Sequence, residues 1–237
     1  MISIMRKRSI IISLILLLAV PSCRKAAKHH SSRNFRTRVE ITDDKDNTRS
    51  EKRLEGQEIF DRYATAVFTI IIGDGLNRIQ GSGFFIDNNG LSVSNYHIFK
   101  GAYKGMEKIK LLDDDDCYSI SEVLHISEDE DFILFRVNRS NTNFLPIASV
   151  RPKIGEHVFA IGSPRGLENT ISSGEISQWR DTYKMQISAQ IDHGSSGGAL
   201  INEHGEVIGI TSGSFVEGSQ ANLNYAWSIE VIKPYLR

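Results

Sequence analysis

Cysteine is nearly absent from these 237 residues, which hold only Cys23 and Cys117. A disulfide framework needs an even set of paired cysteines in the mature chain, and two placed this far apart do not make one. Excess charge of one sign is missing too: Lys+Arg 28 against Asp+Glu 29 leaves a formal net charge of −1. A nucleic-acid partner would call for a basic stripe over the folded part, and the only basic excess lies within residues 6–38. No nucleic acid is therefore expected. Long hydrophobic runs are also lacking, since the apolar stretch of residues 10–20 is about half of the ~20 residues that a membrane-spanning helix requires.

What that short stretch does fit is an export signal over residues 1–22. Arg6-Lys7-Arg8 supplies the basic start, residues 10–20 the apolar centre, and Pro21-Ser22-Cys23 the small-residue end. Val20-Pro21-Ser22-Cys23 resembles the lipobox of bacterial lipoproteins, which implies that Cys23 becomes a lipidated first residue. On that reading the membrane is met only through an N-terminal lipid anchor, and the protein is expected in the periplasm or cell envelope. The alternative is a leader cut elsewhere, leaving Cys23 an ordinary thiol.

Residues 23–54 are polar and without apolar period, so they bury too little surface to offset the entropy of ordering and read as a flexible tether. His29-His30 within it lacks the further ligands a zinc site needs. The acidic run Asp113 to Asp116 lacks the alternating ligands and turn glycine of a calcium loop and reads as a solvated hairpin tip. No metal site is expected.

Apolar residues at 40% and charged residues at 24% fit a globular protein, and the length left after the tether suits one domain, residues 55–237. After a short helix at residues 57–63 the chain turns into short β-rich runs separated by Gly, Asn and Asp. A first set covers residues 67–73, 81–87, 91–95, 108–112, 118–126 and 132–137. A second covers 157–162, 170–178, 185–191, 198–201, 207–212 and 224–229, with a closing helix at 231–235. Asp87-Asn88-Asn89-Gly90 and Asn202-Glu203-His204-Gly205 are hairpin turn signals. Residues 141–152 connect the two sets. Strands at this spacing predict an all-β fold, either a sandwich or barrels.

The strongest chemical signal is Gly194-Ser195-Ser196-Gly197-Gly198, a glycine-rich turn around a serine that runs into a strand. Successive N–H groups of such a turn can converge on one point, as an oxyanion hole demands. Serine is a weak nucleophile until a base takes its proton. His97, just past the strand of residues 91–95, supplies a base, and Asp131, opening the apolar run Asp131-Phe132-Ile133-Leu134, supplies a carboxylate. Asp129 is the rival carboxylate, two residues earlier in an acidic turn.

Four segments in order then resemble the trypsin-like peptidase domains of the HtrA/Deg type. They are Gly81-Ser82-Gly83-Phe84-Phe85-Ile86 with Asn95-Tyr96-His97, Glu130-Asp131-Phe132-Ile133-Leu134, Gly162-Ser163-Pro164-Arg165-Gly166-Leu167 with Ser173-Gly174-Glu175, and Gln190-Ile191-Asp192-His193-Gly194-Ser195-Ser196. The resemblance implies two six-stranded antiparallel β-barrels of the chymotrypsin type, residues 55–145 and 146–237, with the active site in the cleft between them. It implies a catalytic triad of His97, Asp131 and Ser196, and an oxyanion hole from Gly194, Ser195 and Ser196. The substrate pocket would be lined by Gln190, Ile191, Ser212, Gly213 and Tyr225, with Trp227 nearby. Gln190 stands where trypsin-like enzymes carry a pocket-floor carboxylate, which argues against cleavage after Lys or Arg. His193, Asp192 and Ala199 depart from the family pattern. Since the sequence ends at Arg237, a stand-alone domain without the PDZ domain of many relatives is expected.

The function expected is a serine endopeptidase acting on exported or unfolded polypeptides, with no cofactor. Gly194-Ser195-Ser196-Gly197-Gly198 also satisfies the G-x-S-x-G elbow of α/β-hydrolases, but that class runs Ser, acid, His, and only His204 follows the serine here. The remaining alternative is a non-catalytic module that holds peptides on its strand edges.

Overall fold

The computed structural model describes residues 52–73, 78–102, 105–163, 169–213 and 223–236. The export signal, Cys23, His29-His30 and most of the tether lie outside the described residues. Leu54, at the end of the segment read as tether, is buried, and its N–H donates to Glu203 C=O at 2.7 Å. Helix α1, Gly56–Tyr63, follows. It begins with a capping box, in which the Glu55 and Glu58 side chains each accept from the other residue's backbone N–H, and it buries Ile59.

The first half forms β1 Val67–Gly73, β2 Arg78–Phe85, β3 Leu91–Ser94, β4 Glu107–Lys110, β5 Cys117–Tyr118, β6 Ile120–Ser127 and β7 Phe132–Val137. These make one antiparallel sheet in the order β5-β4-β1-β2-β3-β7-β6. The second half forms β8 His157–Gly162, β9 Thr170–Trp179, β10 Lys184–Ile187, β11 Ala199–Asn202, β12 Val207–Ser212 and β13 Asn224–Ser228. They close into a six-stranded barrel, β10-β13-β12-β11-β8-β9.

The all-β, two-barrel architecture expected from the sequence is present, with one difference in the first half. Its sheet has seven strands and is curled without closing, so β5 and β6 are its two edges. The run read as one strand, residues 118–126, is broken at Ser119, whose C=O accepts from Asn138 N–H. β5 is then only two residues long, and β6 shifts register twice against β7. A bulged strand twists away from its neighbours, which leaves no straight edge for closure.

Alternation along the strands builds three apolar clusters. Phe68, Ile70, Phe85, Ile98, Ile109 and Phe135 fill the first sheet, where the Phe68 and Phe85 rings lie 4.7 Å apart. Val158, Ile176, Met185, Leu200 and Ile208 fill the second barrel. A third cluster joins Val67, Phe84, Leu134 and Leu145 of the first half to Phe159, Ile161, Ile201 and Ile210 of the second. The chain crosses between halves at Leu145-Pro146: Leu145 N–H bonds Phe85 C=O, while Pro146 C=O accepts from Val207 N–H.

Candidate active site

Strand β3 ends at Ser94, and after the extended Asn95 a single 3-10 turn, Tyr96–Ile98, lifts His97 to the surface while burying Ile98. On the neighbouring strand, Ser94 pairs with Ile133 of β7, which brings the residue ahead of that strand, Asp131, alongside His97. His97 Nδ1 lies 2.8 Å from Asp131 Oδ2, and the His97 backbone N–H donates to Oδ1 at 2.9 Å. A carboxylate only accepts, so Nδ1 carries the imidazole proton and Nε2 is left as an acceptor. The Asp131 side chain is 13% exposed and that of His97 46%, so the carboxylate sits behind a ring that faces solvent.

Asp131 has φ 48°, in the left-handed region uncommon for non-glycine residues. Its C=O accepts from Asn95 Nδ2 at 2.9 Å and from Tyr96 N–H at 3.3 Å. Asp129, the rival carboxylate, is exposed in the turn before it. It shares with Tyr96, His97, Lys100, Asp131 and Trp227 a hollow of about 290 Å³. The Tyr96 hydroxyl titrates above its ordinary value, chiefly because it is hydrogen-bonded to the Glu128 carboxylate.

The serine lies in the second barrel, on the turn that leads into β11. Ser195 N–H donates to Asp192 C=O at 2.9 Å, and Gly194, third in that turn, has φ 95°. This is the type II signature, which only glycine meets without strain. The next N–H groups are drawn into the barrel: Gly197 N–H bonds Thr211 C=O and Gly198 N–H bonds Ser195 C=O. Gly197 has φ 83°, and a Cβ there would stand 2.2 Å from Ser82 O. Among the described residues the N–H groups of Gly194 and Ser196 have no backbone or side-chain acceptor. The turn therefore offers two unengaged donors beside the Ser196 hydroxyl.

Strand β2 clamps this turn to the first sheet. Ser82 N–H donates to Ser196 C=O at 2.8 Å, and the fully buried Ser82 hydroxyl donates to Gly194 C=O at 2.7 Å and accepts from Ser163 N–H at 2.9 Å. Neither Ser82 nor Asn95 carries a role in the sequence reading, although both lie inside quoted motifs. Their partners are backbone carbonyls remote in the chain, which residue type alone does not announce.

The three candidate triad residues are brought together unequally. His97 and Asp131 are directly bonded. Ser196 Oγ accepts from Gly213 N–H at 3.0 Å, and the preceding residue, Ser212, places its hydroxyl 3.5 Å from Asp131 Oδ2. Among the described residues no hydrogen bond joins Ser196 Oγ to His97 Nε2. The candidate pocket residues separate into two places. Gln190 and Ile191, with Asp192, Ser195 and Thr211, line a cavity of about 260 Å³ between the turn that carries Ser196 and strands β8 and β9. Ser212 and Gly213 contact Asp131 and Ser196 instead. Tyr225 pairs with Ser212 and Gln186, and the Lys184 ammonium lies 5.0 Å from its ring centre.

The acidic tip behaves as a local network. Asp114 accepts from Asp116 N–H and the Tyr118 hydroxyl, in that order the main causes that hold its carboxyl below the usual range. Among the described residues no cluster of three or more His, Cys, Asp or Glu side chains could hold a metal ion.

A sequence profile described as "Trypsin-like peptidase domain" matches residues 81–210. The chain is 30% identical over 184 residues to proteins named "Serine protease HTRA2, mitochondrial" from Drosophila ananassae and Drosophila virilis. Each match covers 73% of this chain, and the chain spans 42% of the length of those relatives. Among solved structures, the fold is similar to that titled "Crystal structure of the serine endoprotease from Yersinia pestis", with TM-score 0.66 and 26% identity. That match covers 74% of this chain and 63% of the other.

Proposed function

The chain belongs to the trypsin-like peptidase domain family, and on that footing we propose that it is a serine endopeptidase using Ser196, His97 and Asp131. Ser196 Oγ attacks the scissile carbonyl carbon while His97 Nε2 takes its proton. The imidazolium returns that proton to the leaving amine, and water then hydrolyses the acyl-enzyme by the same relay. Asp131 keeps the imidazole in the tautomer that leaves Nε2 free and stabilises the charge it gains. The unengaged N–H groups of Gly194 and Ser196 receive the oxyanion. For the first step the Ser196 hydroxyl leaves Gly213 N–H and turns towards His97.

The observation that carries this reading is the double hydrogen bond from His97 to Asp131, with Ser212 tying the same carboxylate to the strand that holds Ser196 Oγ. The leader motif supports an exported enzyme whose mature chain starts at a lipidated Cys23, acting on unfolded or exported polypeptides. Incorporation of labelled palmitate, lost in Cys23→Ala, checks the anchor. For the activity, leaderless protein degrades a reduced, unfolded substrate, and Ser196→Ala does not. A folded protein inert across neutral pH would point to the peptide-holding module instead.

A further inference from the structure

Two unfavourable features lie side by side at the start of β7. Asp131 holds a left-handed backbone that non-glycine residues rarely adopt and that persists only where the surroundings over-determine it. Next to it, Asn95 is fully buried, yet its Oδ1 is one of two buried side-chain polar atoms without a partner among the described residues. An unpaired buried acceptor costs stability, so packing alone would favour an apolar side chain of the same volume at this position. Among the described residues the one bond that Asn95 makes with its side chain runs from Nδ2 to the Asp131 carbonyl. Both features are therefore joined by a single contact.

The backbone conformation of Asp131 has a specific result. It sends Phe132 into the core, 1% exposed, while the carboxylate turns to meet both the Nδ1–H and the backbone N–H of His97. Without the Asn95 amide the Asp131 carbonyl keeps only the longer bond from Tyr96 N–H. We infer that Asn95 is a positioning residue: its buried amide locks the left-handed backbone of Asp131 and so aims the carboxylate at His97. The inference rests on the endopeptidase reading for its kinetic consequence, but the His97–Asp131 geometry it describes exists whether or not the enzyme turns over.

The test replaces Asn95 by Leu, which keeps the branched outline but is larger and cannot hydrogen-bond, and by Ala, with Ser92→Ala as a control. Ser92 is also fully buried, and among the described residues its hydroxyl bonds only Gly90 C=O, away from the site. Proton NMR of the folded protein follows the low-field His97 Nδ1–H resonance, and kinetics separate kcat from KM. The expected result for Asn95→Leu is a resonance moved upfield or lost to exchange, with kcat lower by ~10- to 100-fold and KM altered far less. Ser92→Ala lowers the unfolding midpoint but leaves the resonance and kcat in place. If Asn95→Leu does not fold, Asn95→Ala is read by the same resonance. An unmoved resonance, or a rate loss that only follows the loss of folded protein, overturns the inference. If the parent itself proves inert, the endopeptidase reading fails and the resonance alone still decides the role of Asn95.

Discussion

At the scale of single residues, the chemistry follows from where one proton sits. Because His97 faces a carboxylate through Nδ1, its proton is held there, and Nε2 can accept another. Asp131→Asn offers an amide donor at the same place and inverts the tautomer, so kcat should fall by ~10⁴, as in comparable triads, while the protein stays folded. Steady-state kinetics with a circular dichroism spectrum of the variant check this. The sign of the pH dependence is fixed by the same proton: a protonated imidazole cannot accept from Ser196, so kcat/KM should fall as pH is lowered. The candidates His97, Asp131 and Ser196 come from motifs whose residue types name a chemistry, and of these the structure bonds His97 directly to Asp131. Asn95 and Ser82 were not legible in role, since they act on carbonyls of residues 36 and 112 positions away. Only strand pairing brings those carbonyls near.

Elements hold these residues in place, and the turn that carries Ser196 shows how narrow the tolerance is. Gly194 at φ 95° leaves its N–H pointing out of the turn with no acceptor among the described residues. Gly194→Ala keeps the N–H but strains that conformation and turns the donor out of line, so on the proposed mechanism kcat should fall by up to ~10²–10³ with little change in KM. Strand β2 clamps the turn from the other side. Ser82→Ala leaves the Gly194 carbonyl and the Ser163 N–H unpaired in a buried place, which should cost about 1–3 kcal/mol in unfolding free energy and slow turnover. Denaturant titration and kcat measured on one preparation check both effects. Most strands were readable from alternation, and β1, β7, β8 and β12 have the bounds expected from it. The break between β5 and β6 was not, because it depends on Asn138 reaching Ser119 from the far end of β7. The expected strand at residues 185–191 stops at Ile187, where Ser188 N–H bonds Glu175 C=O and the chain departs from the barrel towards the cavity beside the serine.

For the whole folded part, the two halves share one apolar cluster besides the one that each has for itself, so each leaves part of its apolar surface to be covered by the other. Phe84→Ala in β2 should cost ~3–5 kcal/mol and destabilise both halves in a single transition. Hydrogen exchange should show β3 and β11 losing protection together. Short strands in two sets with a connector made an all-β fold legible, while the two-barrel plan came only from the resemblance to trypsin-like peptidase domains. That the first sheet stays open was not, since closure depends on register and bulges that composition does not record. This shared core makes the cleft a fixed frame, with His97 and Asp131 on one half and Ser196 on the other. The central claim is that the frame delivers the Ser196 hydroxyl to His97. Mass spectrometry after treatment with a fluorophosphonate tests it most directly. One adduct is expected, on Ser196, formed quickly in the parent and abolished in His97→Ala. An unmodified Ser196, or an adduct that forms equally well without His97, would contradict it.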